Sequence, residues 1–307
     1  MAVNTTEIKP TKQVLNNTAE KRLPYLLILP ALLLMIGIVG PFLTGMYWSL
    51  TDYTLMSADP KKFIGLQNYI GLVTSPEFWN SVRITLQYTV FCLAVQIPLG
   101  LIVAMILNRE FFGVKFFRAI LIVPLMMPPI VGALMWKVMM ATDGIFNYLL
   151  GLIGIAPIKW LGSLQWSLFS VSLIDIWIYT PFAALIFLAG LQSLPKEPYE
   201  ASMVDGGSPW FVFRRLTLPL ISPYIILVTL FRGIDCLKIF DIIYATTKGG
   251  PVNATMTLHI SSYYVGIRWT YFGQGMAYLI VLWAICYAIS FYLTKVWTRS
   301  IQRASGL

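Results

Sequence analysis

Six long apolar segments, separated by polar loops, constrain this chain more than any other feature. A helix that spans a bilayer needs about 20 mostly apolar residues. The segments that meet this length are 23–49, 84–107, 116–140, 167–194, 220–246 and 273–297. Helices are favoured over strands because the segments are long and lack a two-residue alternation. The sequence therefore predicts an all-α, polytopic membrane protein with about six transmembrane helices.

The composition agrees with this class and argues against an ordinary soluble domain. Of the 307 residues, 58% are hydrophobic and only 11% are charged, whereas soluble domains carry roughly 25% charged residues. The net charge of +9 is spread over the loops, so it does not indicate a nucleic-acid partner. Cys92, Cys236 and Cys286 lie in apolar segments without CxxC or Cys/His spacing, which favours core residues over metal ligands.

The basic residues predict the orientation, because cytoplasmic loops carry an excess of Lys and Arg. With the N-terminus inside, thirteen lie on the cytoplasmic side: Lys9, Lys12, Lys21, Arg22, Arg109, Lys115, Arg118, Lys196, Arg214, Arg215, Lys295, Arg299 and Arg303. Seven lie outside: Lys61, Lys62, Arg83, Lys137, Lys159, Lys248 and Arg268. We expect both termini in the cytoplasm, with residues 1–22 as a tail and 23–307 as one membrane domain.

The segment 195–219, between the fourth and fifth spans, has the strongest local pattern among the cytoplasmic loops. Pro198 marks a helix start, and Glu200 lies in the first turn, where the helix dipole favours an acid. Gly206-Gly207 is a natural helix stop. We therefore predict a short helix, a glycine turn and a second short helix that ends at Pro219. Such a helix can dock into a groove of a soluble partner.

The same segment resembles the EAA loop of permease subunits in ATP-binding-cassette importers. The matching residues are Glu200, Ala201, Ser202, Asp205, Gly206 and Gly207, followed by Phe213 and Leu218-Pro219. Ser202 and Gly207 stand where the family has alanine, and both are small. Residues 63–69, 240–244 and 247–258 are similar to further motifs of carbohydrate permeases, in the same order along the chain.

This resemblance implies a MetI-like type I importer fold in a bacterial inner membrane, in the MalF/UgpA-like half of a permease pair. It implies a second, MalG-like permease, two ATPase subunits that bind ATP and Mg, an extracytoplasmic solute-binding protein and a sugar substrate. The EAA residues would couple this chain to the ATPases. The chain itself has no phosphate-binding Gly-x-x-x-x-Gly-Lys-Ser/Thr loop, so we expect no ATP hydrolysis, cofactor or metal in it.

Charged residues in the fifth span are candidates for the translocation path. Arg232, Asp235, Lys238 and Asp241 are spaced by three, so they can pair along one helix face. Charges at this depth are expected to face the bundle interior, as is Asp175 in the fourth span. They either form internal ion pairs that fix helix packing or the contact with a second permease, or they offer hydrogen bonds to sugar hydroxyls. In the second case the path residues are Asp235, Lys238, Phe240, Asp241, Tyr244 and Tyr179. A further alternative for Lys238 and Asp241, which lie nearest the external end, is contact with the binding protein.

Prolines inside two apolar segments predict kinks. Pro124, Pro128 and Pro129 lie in the third segment, and Pro181 lies in the fourth. Each removes a backbone hydrogen bond from a helix, so kinked helices around a path are one interpretation and ordinary membrane-protein prolines are the other.

Other functions remain open from the sequence alone. A permease of the same class could carry glycerol 3-phosphate or a polyol, and an ATPase-independent secondary carrier would have a similar composition. A membrane-embedded enzyme would need paired catalytic groups. The single histidine, His259, lies in an external loop without a recognisable triad or metal partner. This argues against most membrane-embedded enzymes that use a histidine-containing catalytic pair.

Overall fold

The computed structural model describes residues 18–304, which are helical apart from loops and one isolated β-bridge between Thr51 and Phe63. The α-helices are α1 Thr18–Trp48, α2 Gln67–Thr74, α3 Pro76–Leu107, α4 Val114–Met126, α5 Pro129–Met139, α6 Ile145–Leu152, α7 Ser167–Ser193, α8 Glu197–Val204, α9 Pro209–Val212, α10 Leu218–Leu237, α11 Asp241–Thr246, α12 Leu258–Tyr263 and α13 Phe272–Ala304. Two π-helical turns are π1 Phe213–Thr217 and π2 Tyr264–Arg268.

The predicted number of membrane spans is confirmed within the described residues. Five stretches are long and apolar enough to cross a bilayer: Leu27–Trp48, Pro76–Leu107, Ser167–Ser193, Pro209–Thr246 and Phe272–Gln302. Helices α4 and α5 satisfy the same requirement only as a pair, which makes six if the pair is one span. The second of these stretches begins eight residues before the predicted boundary at 84, because Ser75 caps α3 and Pro76 occupies its first turn.

The third apolar segment is broken more sharply than a kink. Helices α4 and α5 are bent by 95° at the break between Met126 and Pro129. Met127 has an extended backbone, with φ −81° and ψ 141°, as expected for a residue before proline. Pro181, by contrast, lies inside the uninterrupted helix α7.

The fifth span ends at Thr246, as predicted, but it begins earlier than predicted and is interrupted before that end. The second short helix does not end at Pro219, because α9 continues through π1 into α10, where Pro219 occupies the first turn. At the other end, α10 stops at Leu237 and the chain becomes helical again only at Asp241. The four charges from Arg232 to Asp241 therefore do not share one continuous helix face, because the helix is interrupted before Asp241.

The described residues divide into two compact units, and the first of these, residues 18–47, lies within α1. Its large apolar side chains are mostly exposed, including Leu27 at 71% and Ile38 at 72%. Such a surface is compatible with lipid and not with water. The predicted tail over residues 1–22 lies outside the described residues except for 18–22, which already belong to α1.

The second unit, whose described residues are 48–304, contains the other described helices. Helix α3 packs against α7 and α10, while α13 packs against α10 and α12. Helices α3 and α7 lie close together at Gly100, where a Cβ atom would lie only 2.8 Å from the Ala183 Cβ. Small residues let membrane helices approach closely, and this packing places the inward faces of α3, α7 and α10 against one another.

Candidate functional site

The loop 195–219, predicted to couple this chain to an ATPase, folds into two short helices joined by a turn. Helix α8 has Pro198 and Glu200 in its first turn and ends at a turn where Gly206 has φ +73°, a conformation that favours glycine. The Gly207 amide donates to the Ser202 carbonyl at 2.8 Å and closes this turn. The Ser208 hydroxyl then accepts from the Phe211 amide at 3.3 Å and caps α9.

Large apolar side chains are exposed on both helices of this loop. Met203 is 70% exposed, Val204 87%, Trp210 66% and Phe211 51%. We call these four residues, together with Glu200, the α8–α9 surface. Exposed apolar side chains clustered in this way mark interaction sites more often than isolated ones do.

The α8–α9 surface is connected to the membrane bundle through π1. The Tyr199 hydroxyl donates to the Thr217 hydroxyl at 3.3 Å, which joins α8 to the start of α10. Ser202 is buried, whereas Ala201 and Asp205 are exposed next to it. The residues that resemble the EAA motif thus lie together on one short helix and its turn, and among them Ser202 is buried.

A buried polar cluster lies where α3, α7 and α10 meet, and its members are Gln96, Asp175 and Arg232. Arg232 donates to the Asp175 carboxylate at 2.6 Å and to the Gln96 side-chain oxygen at 3.1 Å. The Gln96 amide in turn donates to the same carboxylate at 2.7 Å. Each side chain is at most 1% exposed, so the opposite charge and these hydrogen bonds offset part of the cost of burying the ions, while Asp175 Oδ2 and Arg232 Nη1 make no hydrogen bond to any described residue. The expectation that Asp175 faces the interior is confirmed.

The remaining charges of the fifth span form a chain that leads outward from this cluster. Asp235 lies 3.5 Å from Arg232 and 3.5 Å from Lys238, and both Asp235 and Lys238 are about half exposed. Asp241 is exposed and begins α11, beyond the interruption. Arg232 is therefore an internal ion-pair partner, whereas Asp235, Lys238 and Asp241 reach the surface.

Aromatic side chains surround the break between α10 and α11. The Phe240 and Tyr244 rings are stacked, with centroids 5.2 Å apart and an interplanar angle of 13°. The Tyr263 hydroxyl lies 3.2 Å from that of Tyr244, and His259 Nδ1 lies 2.7 Å from the Lys238 carbonyl oxygen. Phe240, Tyr263 and His259 also line a cavity of about 180 Å³. Tyr179, the remaining path candidate, lies elsewhere, with its ring 4.0 Å from the Arg232 guanidinium carbon.

Two of the cysteines are closer to each other than the sequence indicates. The ligand atoms of Cys92, Cys236 and Asp175 lie within 4.8 Å of one another in the buried core. Arg232 donates to both the Asp175 carboxylate and the Cys236 sulfur, the latter at 3.3 Å. A guanidinium cation thus already contacts two of the three groups, which disfavours a metal ion at this position.

Sequence reasoning did not find Gln96 or the role of His259. Gln96 is a single amide within the long apolar segment of α3, and a polar side chain at that depth was the signal available for it. His259 contacts the backbone of the α10–α11 break, which is 21 residues away in the chain. No local spacing indicates that contact.

A family model described as "Binding-protein-dependent transport system inner membrane component" matches residues 96–303. The chain belongs to this family. The match includes all three members of the buried polar cluster, the α8–α9 surface and the aromatic side chains around the α10–α11 break. These features are therefore parts of a multi-pass permease domain, and this family is a transporter family rather than an enzyme family.

Curated relatives support the same assignment of the permease. It is 42% identical over 243 residues to the probable ABC transporter permease protein y4oQ of Sinorhizobium fredii, covering 78% of each chain. It is 36% identical over 245 residues to the trehalose/maltose transport system permease protein MalF of Thermococcus litoralis, covering 80% of this chain and 83% of the relative.

A solved structure confirms the fold of the permease. A chain of a bacterial ABC transporter involved in the import of the acidic polysaccharide alginate superposes with a TM-score of 0.80 at 20% identity. The superposition covers 92% of this chain and 97% of that chain. The predicted all-α importer-permease fold is therefore confirmed.

Proposed function

We propose that this chain forms half of the translocation path of an ATP-driven importer for a neutral carbohydrate. The chain would perform no covalent chemistry and would lower the barrier to movement of the solute across the membrane. The observation that carries this proposal is the α8–α9 surface, an exposed apolar patch on a short helix pair that leads without a break into a membrane-spanning helix. An ATPase-independent carrier has no need of such a surface.

The α8–α9 surface supports coupling because it is connected to the candidate path. Pulling on α8 would move π1 through the Tyr199–Thr217 hydrogen bond, and π1 continues into α10. Helix α10 has 20 residues and is therefore about 30 Å long. At its far end lie Asp235, Lys238 and the aromatic side chains around the α10–α11 break. A rigid helix of this length can transmit a displacement across most of the bilayer.

The charges around the path favour a neutral solute over glycerol 3-phosphate. Arg232 is buried against Asp175, and Lys238 is already close to Asp235. Asp235 and Asp241 both reach the surface, and an ionised carboxylate accepts hydrogen bonds from hydroxyls but repels a phosphate. Phe240 and Tyr244 supply apolar ring faces of the kind that carbohydrate and other ligand sites combine with a few polar groups. The relative named for trehalose/maltose transport agrees with this choice.

The proposal includes partners and an orientation. A second, MalG-like permease would complete the path. Of two ATPase subunits holding ATP and Mg, one would dock on the α8–α9 surface of this chain and on the adjoining residues Ala201, Asp205, Gly206 and Gly207. An extracytoplasmic binding protein would deliver the solute. Both termini would lie in the cytoplasm of a bacterium, with the chain in its inner membrane, as the excess of basic residues indicates.

The docking proposal can be tested with two matched valines. Val204 lies on the α8–α9 surface and is 87% exposed, whereas Val252 lies in the loop after α11 and is 84% exposed. We would express the complete transporter with Val204→Glu or Val252→Glu, purify it through a tag on this chain, and measure the retained ATPase subunit and sugar uptake in proteoliposomes.

Val204→Glu is expected to lose the ATPase subunit and uptake, because a desolvated carboxylate in an apolar contact is costly. Val252→Glu is expected to retain the ATPase. A Val204→Glu complex with full ATPase content and wild-type uptake would contradict the proposal. Binding of a panel of neutral sugars and glycerol 3-phosphate to the partner binding protein would then identify the solute.

A further inference from the structure

Arg232 is a single buried side chain that connects three helices. Its guanidinium contacts Asp175 on α7 and Gln96 on α3, and the bond from Gln96 to Asp175 closes a ring of hydrogen bonds. A structural ion pair would need only the Asp175 contact. The planar guanidinium has five donors in a fixed fork, and its other edge and its face are directed to different neighbours.

Those other neighbours are the two path candidates nearest the polar cluster. The Arg232 guanidinium carbon lies 4.0 Å from the centre of the Tyr179 ring, at cation–π distance. Its Nη1 lies 3.5 Å from the Asp235 carboxylate, which is also 3.5 Å from the Lys238 ammonium. Tyr179 is partly exposed and Asp235 is 52% exposed. One buried cation thus contacts both an aromatic ring and a carboxylate that reach the surface.

We propose that Arg232 is a positioning residue for the solute path, which holds the Tyr179 ring and the Asp235 carboxylate as one recognition pair. This inference rests on the proposed function and names the part of the path that would recognise the sugar. A planar cation against a ring restricts the ring torsions, and the opposite charge of the guanidinium orients the Asp235 carboxylate. The ring would pack against the apolar face of a pyranose while the carboxylate accepts hydrogen bonds from its hydroxyls.

Arg232 would not touch the sugar, since it is 1% exposed. Its effect must therefore pass through Tyr179 and Asp235, and this distinguishes positioning from simple support of the fold. If Arg232 acts through Tyr179, removing the ring should abolish most of the effect of changing Arg232. A double-mutant cycle measures this dependence directly.

The experiment compares Arg232→Lys, Tyr179→Leu and the double variant in the complete reconstituted transporter. Lysine retains the charge but lacks the planar fork. Uptake of maltose, trehalose and sucrose is measured at saturating binding protein and is normalised to the amount of assembled complex. We expect each single variant to lower the maximal uptake rate about tenfold and the double variant to be no slower than the slower single variant, as for coupled residues. Arg268→Lys, the same substitution at an exposed position of π2, is the control and should transport as wild type.

Two results would overturn this inference alone and leave the proposed function standing. Losses that multiply in the double variant would mean that Arg232 does not act through Tyr179. A lower yield of complex with wild-type uptake per complex would mean that Arg232 only supports the fold. If Arg232→Lys does not accumulate, Asp175→Glu retains the ion pair while displacing the guanidinium, and it replaces Arg232→Lys in the same cycle. A wild-type transporter that imports an anionic solute and none of the neutral sugars would overturn the proposed function and this inference together.

Discussion

The Arg232 guanidinium on α10 donates a 2.6 Å hydrogen bond to the Asp175 carboxylate on α7, and each side chain is 1% exposed. These residues are 57 positions apart in the sequence. An unpaired charge in a bilayer is costly. Each residue therefore lowers the free-energy cost of burying the other. The pair therefore fixes which faces of α7 and α10 meet.

Replacing Asp175 with Asn is expected to destabilise the protein, since it leaves the buried Arg232 guanidinium without its closest and only buried charged partner among the described residues. Breaking a buried pair costs about 3–5 kcal/mol in soluble proteins, and single polar contacts between membrane helices are worth roughly 1 kcal/mol. We expect a loss between these limits, measured as a lower melting temperature of the purified chain in detergent. The control is Asp235→Asn, because its carboxylate is half exposed and such pairs contribute about 0–1 kcal/mol. Equal melting temperatures for the two variants would contradict the argument.

Replacing Gly206 with Val is expected to uncouple ATP hydrolysis from uptake. Gly206 has φ +73°, and an L-residue in this region costs about 1–2 kcal/mol, which the turn between α8 and α9 would relieve by changing shape. The measurement is the number of sugar molecules imported per ATP hydrolysed. Gly113→Val is a matched control, because Gly113 has φ +86° at the start of α4 and lies outside the α8–α9 surface. A similar ratio in both variants would mean that the turn geometry does not matter for coupling.

Replacing Phe240 with Leu is expected to slow uptake without reducing the amount of complex. The substitution removes a ring that stacks on Tyr244 with centroids 5.2 Å apart. Aromatic pairs are worth about 0.5–1.5 kcal/mol, so we expect a loss of roughly two- to tenfold in maximal uptake. Phe291→Leu removes a ring that is 53% exposed on α13 and serves as the control. Wild-type uptake by the Phe240 variant would show that this ring is not part of the translocation path.

Replacing Gly100 with Val is expected to separate α3 from α7. A Cβ at this position would lie 2.8 Å from the Ala183 Cβ and 3.2 Å from the Ala184 backbone nitrogen, which cannot rotate away. Overpacking of this kind costs about 1–3 kcal/mol, measured again as a lower melting temperature. Gly37→Val is the control, because a Cβ there meets nothing within 4 Å. Comparable melting temperatures for both variants would show that α3 and α7 can move apart freely.

Several features of the permease follow from local sequence patterns. Apolar length predicts the five long spans, because the hydrocarbon thickness sets the minimum length of a spanning helix. Pro198 and Gly206 predict the beginning and the end of α8, because each acts on the backbone within one turn. The break near Pro128 is also local, although its 95° angle is larger than the predicted kink.

Other features depend on contacts between distant segments. The three-residue spacing predicts that Arg232 pairs with Asp235, yet the shortest ion-pair contact of Arg232 is to Asp175 on another helix. The same spacing predicts one continuous face as far as Asp241, whereas α10 ends at Leu237 and His259 contacts the backbone of the break.

The sequence by itself determined the number of spans, the positions of the turns and the residues of the α8–α9 loop, since these depend on hydrophobic length and on backbone preferences within a few residues. Only the tertiary structure decided which charged side chains are buried in the helix bundle and which reach its surface. That choice depends on the partner that packing brings to each charge, as Gln96 and Asp175 are brought to Arg232. A linear sequence specifies the charge but not its neighbours across the bundle.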